Sequence, residues 1–138
     1  MGDQVFAIRR SQRHDVALPA RFCIAPAHSA LVRLSSGSGA RDGWLDAGLV
    51  DLSSGGVGLV TSVFVPRRCL ITVRVWGDNS PEAQSEPPIL EVGARVQRIV
   101  MTDRRPAYLL GTAFEGLTAE VVRSVEALLT RLETGQTA

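Results

Sequence analysis

The sequence predicts a mainly β domain, an antiparallel barrel or sandwich, with one α-helix at its C-terminal end. Three observations predict it. Six or seven short runs of β-branched and apolar residues alternate with turn-forming clusters, at a spacing that leaves no room for crossover helices. The chain has 138 residues, 45% of them hydrophobic, which suits one core, and no apolar run approaches the ~18 residues that span a bilayer. Beyond Thr118 the apolar residues recur at helical spacing.

Taken in order, VALPARFCI at Val16–Ile24 reads as the first strand, its proline suited to an edge or a strand start. A second apolar stretch, Ala30–Leu34, runs into the small polar loop SSGSGARDG. Strands follow at Trp44–Asp51, Val57–Val63 and Leu70–Trp76, where β-branched and apolar residues cluster. Gly77–Pro88 reads as a loop, with three prolines, three acidic residues and almost nothing apolar. Leu90–Met101 and Tyr108–Phe114 flank Thr102–Pro106, the pattern of a hairpin with a five-residue connection. In the last segment Val121, Val122, Val125, Leu128, Leu129 and Leu132 recur at three- and four-residue spacing, and Thr118 is the expected N-cap. Such a helix packs on the barrel or plugs one end, or else supplies a dimer face. The expected organisation is a flexible arm over residues 1–15 and one domain over 16–134, with its helix at about 118–133.

Formal net charge is +1, from 15 basic and 14 acidic side chains, so no overall field draws the chain to nucleic acid or a membrane. All 15 basic residues are arginine. The absence of lysine excludes Schiff-base chemistry, a lysine general base and a GK[ST] phosphate loop. What remains is the guanidinium, planar and always charged, which grips phosphates and purine edges with paired donors; the bias also fits codon usage in a GC-rich genome. His14 and His28 lie near no GxSxG turn, no HExxH occurs, and the carboxylates are scattered singly. The protein is therefore expected not to be an enzyme and to use no cofactor or metal. Cys23 and Cys69 sit in apolar runs without CxxC spacing and read as small hydrophobes in a reducing compartment. The N-terminus shows no secretory signal, which makes the cytoplasm the expected location, without membrane insertion.

Two local features can carry binding. The first is Arg9-Arg10-Ser11-Gln12-Arg13, ahead of the first strand. A four-residue separation puts Arg9 and Arg13 on one face of an extended or a helical segment, so both can converge on one anion; a solvated basic arm has the same look. The second is Asp51-Leu52-Ser53-Ser54-Gly55-Gly56, between two expected strands. Its adjacent glycines permit positive φ and close approach of a ligand to bare backbone, while a Ser-stabilised tight turn accounts for the same residues without a ligand.

The RxxxR arm, the LPARF run, the DLSSGG turn, and the pair Val92–Ile99 and Tyr108–Phe114 with its GTAF ending together resemble a PilZ domain over roughly residues 6–132. The resemblance implies a six-stranded antiparallel β-barrel of the split-barrel kind with a C-terminal α-helix. It further implies binding of cyclic di-GMP, a bacterial second messenger, by Arg9, Arg10, Arg13, Asp51, Ser53, Gly55 and Gly56. The chemistry of these groups agrees. Arginine forms forked hydrogen bonds to phosphate or to guanine O6 and N7, and a carboxylate suits the guanine N1–H and amino donors. Ordering of the arm would then be the signal, read by an effector protein that the sequence does not name. Eight residues precede Arg9, so that effector is expected to be a separate molecule, and the receptor a monomer or homodimer. Two points depart from a minimal pattern: Arg10 leaves open which of Arg9 and Arg10 acts with Arg13, and the loop Ser35–Gly43 is long. Two other readings stand beside this one. One is an interaction module on the same fold that binds no nucleotide. The other is a small nucleic-acid-binding barrel, which the dispersed aromatics and near-neutral charge disfavour.

Overall fold

The computed structural model describes residues 14–26, 43–78, 80–102 and 107–133. The arginine arm, the stretch Ala30–Leu34, most of the loop Ser35–Gly43 and His28 lie outside these residues. Among these residues six strands form: β1 (His14–Ile24), β2 (Leu45–Ser53), β3 (Gly56–Thr61), β4 (Leu70–Val75), β5 (Leu90–Met101) and β6 (Tyr108–Glu115). They pair antiparallel in the order β1-β2-β3-β6-β5-β4, and β4 returns to β1 to close the barrel. The expected six-stranded barrel is therefore what the chain forms, and closure leaves none of these strands as an edge.

Alternation along each strand fills the interior. Ile71, Val73 and Val75 of β4 point inward, as do Phe22, Leu45, Leu49, Leu52, Leu59, Val96 and Leu110 from the other strands, all fully buried. Helix α2 (Ala119–Glu133) adds Val125 and Leu128 to this core and packs on β5 and β1. The Thr118 hydroxyl accepts the Val121 N–H at 3.2 Å, the expected cap. No helix among the described residues is long and apolar enough to cross a membrane. Cys69 is fully buried, which pushes its thiol pKa up, while Cys23 is half-buried; both are free thiols.

Several segments differ from the sequence reading: β1 starts at His14 rather than Val16, so residues 14 and 15 belong to the strand and not to the expected arm, β2 runs to Ser53 rather than Asp51, and two further differences have local causes. The loop at 77–88 contains a single helical turn, α1 (Pro81–Gln84), capped by the Ser80 hydroxyl, which accepts the Ala83 N–H at 3.0 Å. Proline at the first helical position favours the turn, yet α1 buries no residue, so apolar periodicity carries no trace of it. Strand β3 stops at Thr61 rather than Val63. The Thr61 hydroxyl donates to the Asp46 carbonyl at 3.0 Å and accepts the Val63 N–H at 3.4 Å, ending the ladder while Val63 still reaches the core.

Bulges interrupt three strands and change which residues face outward. The β2 register shifts between Leu49 and Asp51, so the inward set passes from Leu45 and Leu49 to Leu52, and Asp51 is left facing out. A second shift, between Val96 and Arg98, does the same in β5: Leu90, Val92, Ala94 and Val96 point inward, then Ile99 does, and Arg98 faces out. A third lies in β1 between Asp15 and Leu18.

In the middle of β5, just ahead of its bulge, Arg95 holds three pieces of chain together. Its Nε and Nη2 donate to the two carboxylate oxygens of Glu115, the latter at 2.9 Å, and its Nη1 donates to the Arg68 carbonyl at 2.8 Å. Arg68 adopts φ 77°, in the left-handed region, and its N–H donates to the Val96 carbonyl at 2.7 Å. The hydrogen bond from Arg95 holds the Glu115 carboxyl below its ordinary range.

Two stability predictions follow from this packing. Phe22→Ala deletes a fully buried ring and is expected to lower the unfolding free energy by about 3–5 kcal/mol, read by urea denaturation. Because the folded pKa of Glu115 is depressed, its stabilisation is complete above the unfolded value of about 4.3 and is lost as pH falls below it. The thermal midpoint of wild type should therefore drop further between pH 6 and pH 3 than that of Glu115→Gln; equal drops would remove the pair from the acid response.

Candidate functional site

The DxSxxG segment forms the β2–β3 hairpin tip, with Ser54 and Gly55 in the turn and Ser53 paired to Gly56. The Ser53 hydroxyl accepts the Gly55 N–H at 3.2 Å, a local serine turn. The tip is folded down onto β6: the Gly55 carbonyl accepts the Phe114 N–H at 2.9 Å. Thr112 completes the junction, its hydroxyl accepting the Val57 N–H at 3.3 Å and donating to the Val57 carbonyl at 2.9 Å. A Cβ on residue 56 would stand 1.9 Å from the Thr112 carbonyl oxygen, so the approach of the two strands requires glycine there. Positive φ, which the glycine pair would permit, is not what these residues use; the described glycines with positive φ are Gly43 and Gly116. Gly56 thus has a packing reason of its own, besides lining the cleft at the tip.

Beside the tip runs a row of four residues on the outer face of four adjacent strands. Asp51 pairs with Gly58, Gly58 with Gly111, and Gly111 with Arg98. The Asp51 carboxylate leans over Gly58, where a Cβ would lie 2.7 Å from its Oδ2. On the far side the Arg98 side chain rises next to Gly111, whose missing Cβ would sit 3.6 Å from the Arg98 Cβ. The result is a surface on which Gly58 is buried beneath the carboxylate and half-buried Gly111 lies between it and the Arg98 side chain. Two shallow clefts open on it. One, of about 190 Å³, is lined by Ser53, Gly55, Gly56, Gln97 and Thr112 together with Asp51, Arg98 and Gly111. The other, of about 110 Å³, adds Gly58, Val100 and Leu109. Both are smaller than the ~300 Å³ at which ligand pockets usually begin.

The first strand enters at this place. His14 pairs with Leu52 and Asp15 with Asp51, so β1 begins alongside the DxSxxG residues. Of the expected site residues, Asp51, Ser53, Gly55 and Gly56 are brought together; Arg9, Arg10 and Arg13 lie outside the described residues. Gly58, Arg98, Gly111 and Thr112 belong to the same surface and were not among the expected residues. Gly58 had a visible signal, being two positions beyond the motif, whereas Arg98, Gly111 and Thr112 arrive from strands far along the chain.

No family model matches the sequence, and no curated protein matches it. Solved structures do. The inhibitor of motility MotI/DgrA of Bacillus subtilis superposes with a TM-score of 0.61 at 12% identity, over 92% of this chain and 51% of that one. The PilZ domain of YcgR from Escherichia coli, solved with c-di-GMP, gives 0.57 at 17% identity over 93% of both chains. The MrkH–c-di-GMP complex of K. pneumonia gives 0.60 at 13%, over 93% of this chain and 53% of that one. At such identities the likeness is one of fold, and the fold is that of the PilZ domain. The chain spans about half the length of the MotI/DgrA and MrkH chains it matches.

The two glycines of the hairpin separate packing from site geometry. Gly56→Ala must push β6 backbone aside and should cost about 1–3 kcal/mol, several degrees in thermal midpoint. Gly58→Ala meets only the far end of the Asp51 side chain, so it should melt within about 0.5 kcal/mol of wild type while displacing the carboxylate. A Gly56→Ala variant as stable as wild type would contradict the close approach.

Proposed function

We propose that this chain is a cyclic di-GMP receptor. Its site is the β2–β3 tip, with Asp51, Ser53, Gly55 and Gly56, joined by Arg9, Arg10 and Arg13 of the arm. The observation that carries the reading is the register of β1. The strand starts against Leu52 and Asp51, so the chain that follows the arginine arm is delivered to the edge of the DxSxxG turn. His14, the residue that follows the RxxxR motif, is thereby paired with Leu52 of the DxSxxG motif, 38 positions along the chain. The fold adds support, since two of the structures that share it contain c-di-GMP.

The division of labour follows from the ligand. Its phosphates and guanine O6 and N7 atoms accept hydrogen bonds, which the arm arginines supply in forked pairs. The guanine N1–H and amino group are donors, which the outward Asp51 carboxylate accepts. The two clefts beside the tip, of about 110 and 190 Å³, are too small to enclose a dinucleotide, so in this reading arm and barrel each contribute part of the binding. Binding at the arm then changes the surface shown to a partner protein, and the receptor catalyses nothing in this reading. Ordering the arm costs conformational entropy and offsets part of the contact energy.

Isothermal titration with cyclic di-GMP tests the proposal. Each charge-assisted hydrogen bond is worth about 1.5–3 kcal/mol, so Arg13→Ala and Asp51→Ala should each weaken binding about tenfold or more. The absence of heat at micromolar ligand would refute the receptor and leave the interaction-module reading. Wild-type affinity in Arg13→Ala would remove the arm from the site.

A further inference from the structure

We infer that the end of the barrel opposite the DxSxxG tip docks on an anionic phospholipid surface, with Phe64 and Met101 entering the headgroup layer and Arg67 and Arg68 meeting the lipid phosphates. This face takes no part in the cyclic di-GMP reading, and docking there is independent of it.

Strand direction divides the connections between two ends. Every pairing is antiparallel, so the connections after β1, β3 and β5 join strands at one end. The β2–β3 tip, the β4–β5 connection and the start of β1 lie at the other. Charge is divided in the same way. The stretches 25–44, 62–69 and 102–107, which join strands at the first end, hold Arg33, Arg41, Arg67, Arg68, Arg104 and Arg105 against Asp42 and Asp103. At the other end, apart from the arm, the stretch 76–89 holds Asp78, Glu82 and Glu86 and no basic residue. The formal net charge of +1 therefore conceals a basic end, and a field negligible for the whole chain is directional for a surface met end-on.

The same end carries the two most exposed large apolar side chains among the described residues, Met101 at 65% and Phe64 at 52%. Both are neighbours of Tyr108, which pairs with Met101 across the β5–β6 ladder and meets the Phe64 ring edge-on, centroids 5.5 Å apart. Val63 and Val65 are buried on either side of Phe64, so the loop is anchored by two valines and displays the ring between them. Arg67 and Arg68 follow within four residues, at most about 14 Å of chain from Phe64. Both are exposed, and neither forms an ion pair among the described residues. Rigidly displayed apolar side chains beside uncompensated arginines match the layered chemistry of a bilayer surface: the apolar groups enter the acyl boundary while guanidinium forks grip phosphate. A nucleic acid would use the arginines and leave Met101 without a role. Docked in this way, the barrel turns its β2–β3 tip away from the lipid.

Co-sedimentation of the full chain with vesicles, in the absence of cyclic di-GMP, tests the docking face. Vesicles of phosphatidylcholine alone are compared with an equal mixture of phosphatidylcholine and phosphatidylglycerol. The chain is expected to sediment with the mixed vesicles, to ignore the neutral ones, and to be released as salt rises. Phe64→Ser and Met101→Ser should each weaken binding about 5-fold or more, and Arg67→Gln about 5-fold. Thermal melts confirm folding; Met101 and Arg67 are exposed, so at least those two variants should melt with wild type. Failure to sediment with the mixed vesicles, equal binding to neutral ones, or unchanged binding in both folded apolar variants would each overturn the inference. So would binding to a labelled single-stranded DNA that Arg67→Gln abolishes and Met101→Ser leaves intact, without vesicle binding. All three variants should keep wild-type affinity for cyclic di-GMP, so a wild type that binds vesicles but gives no heat with cyclic di-GMP would refute the receptor reading alone.

Discussion

A hairpin tip can lie flat on a neighbouring strand only if nothing projects from the residue at the crossing, and residue 56 is that crossing. Its absent Cβ lets the β2–β3 turn approach β6 until the Thr112 hydroxyl bridges Val57 and the Gly55 carbonyl meets the Phe114 N–H. This contact fixes the tip relative to β6, and β6 in turn is paired to β5 through Gly111 and Arg98. The placement of Asp51 and Ser53 against groups from the C-terminal half of the chain depends on it. Any side chain at position 56 would separate the two halves of the candidate surface before altering a single ligand contact.

Charge on the rest of the barrel is largely spent within the protein. Arg21 faces Asp46 at 3.3 Å, Arg74 faces Glu91 at 3.1 Å while its guanidinium lies 4.0 Å over the Trp44 ring, and Arg95 is held by Glu115. The first two pairs are exposed and contribute little to stability, and all three remove local positive potential from those faces. Three of the described arginines, Arg21, Arg74 and Arg95, are thus compensated by acidic residues of neighbouring strands.

How much of this was legible in the sequence follows from whether the information is local. Strands such as Leu70–Val75 and Leu90–Met101 announce themselves by alternation, and α2 by its period, because each buries one face of a regular element. Helix α1 buries nothing and left no pattern. Asp51, Ser53, Gly55 and Gly56 were readable because the turn is contiguous, yet the packing role of Gly56 was not, since Thr112 lies 56 positions away in the chain. Arg98 was hidden for a sharper reason: simple alternation from Leu90 onward assigns it to the interior, and only the bulge turns it out.

The account makes one spatial claim above all, that the ligand-binding surface is the β2–β3 tip with Asp51, Ser53, Gly55 and Gly56, next to the start of β1. Amide chemical-shift mapping of the full chain during titration with cyclic di-GMP tests it most directly. The account predicts that the largest shifts fall on residues 51–58, 98 and 111 and on the arm at 9–13, with little change along Arg21, Trp44 and Arg74. Shifts concentrated on the Arg21–Arg74 face, with the glycine row unmoved, would contradict it.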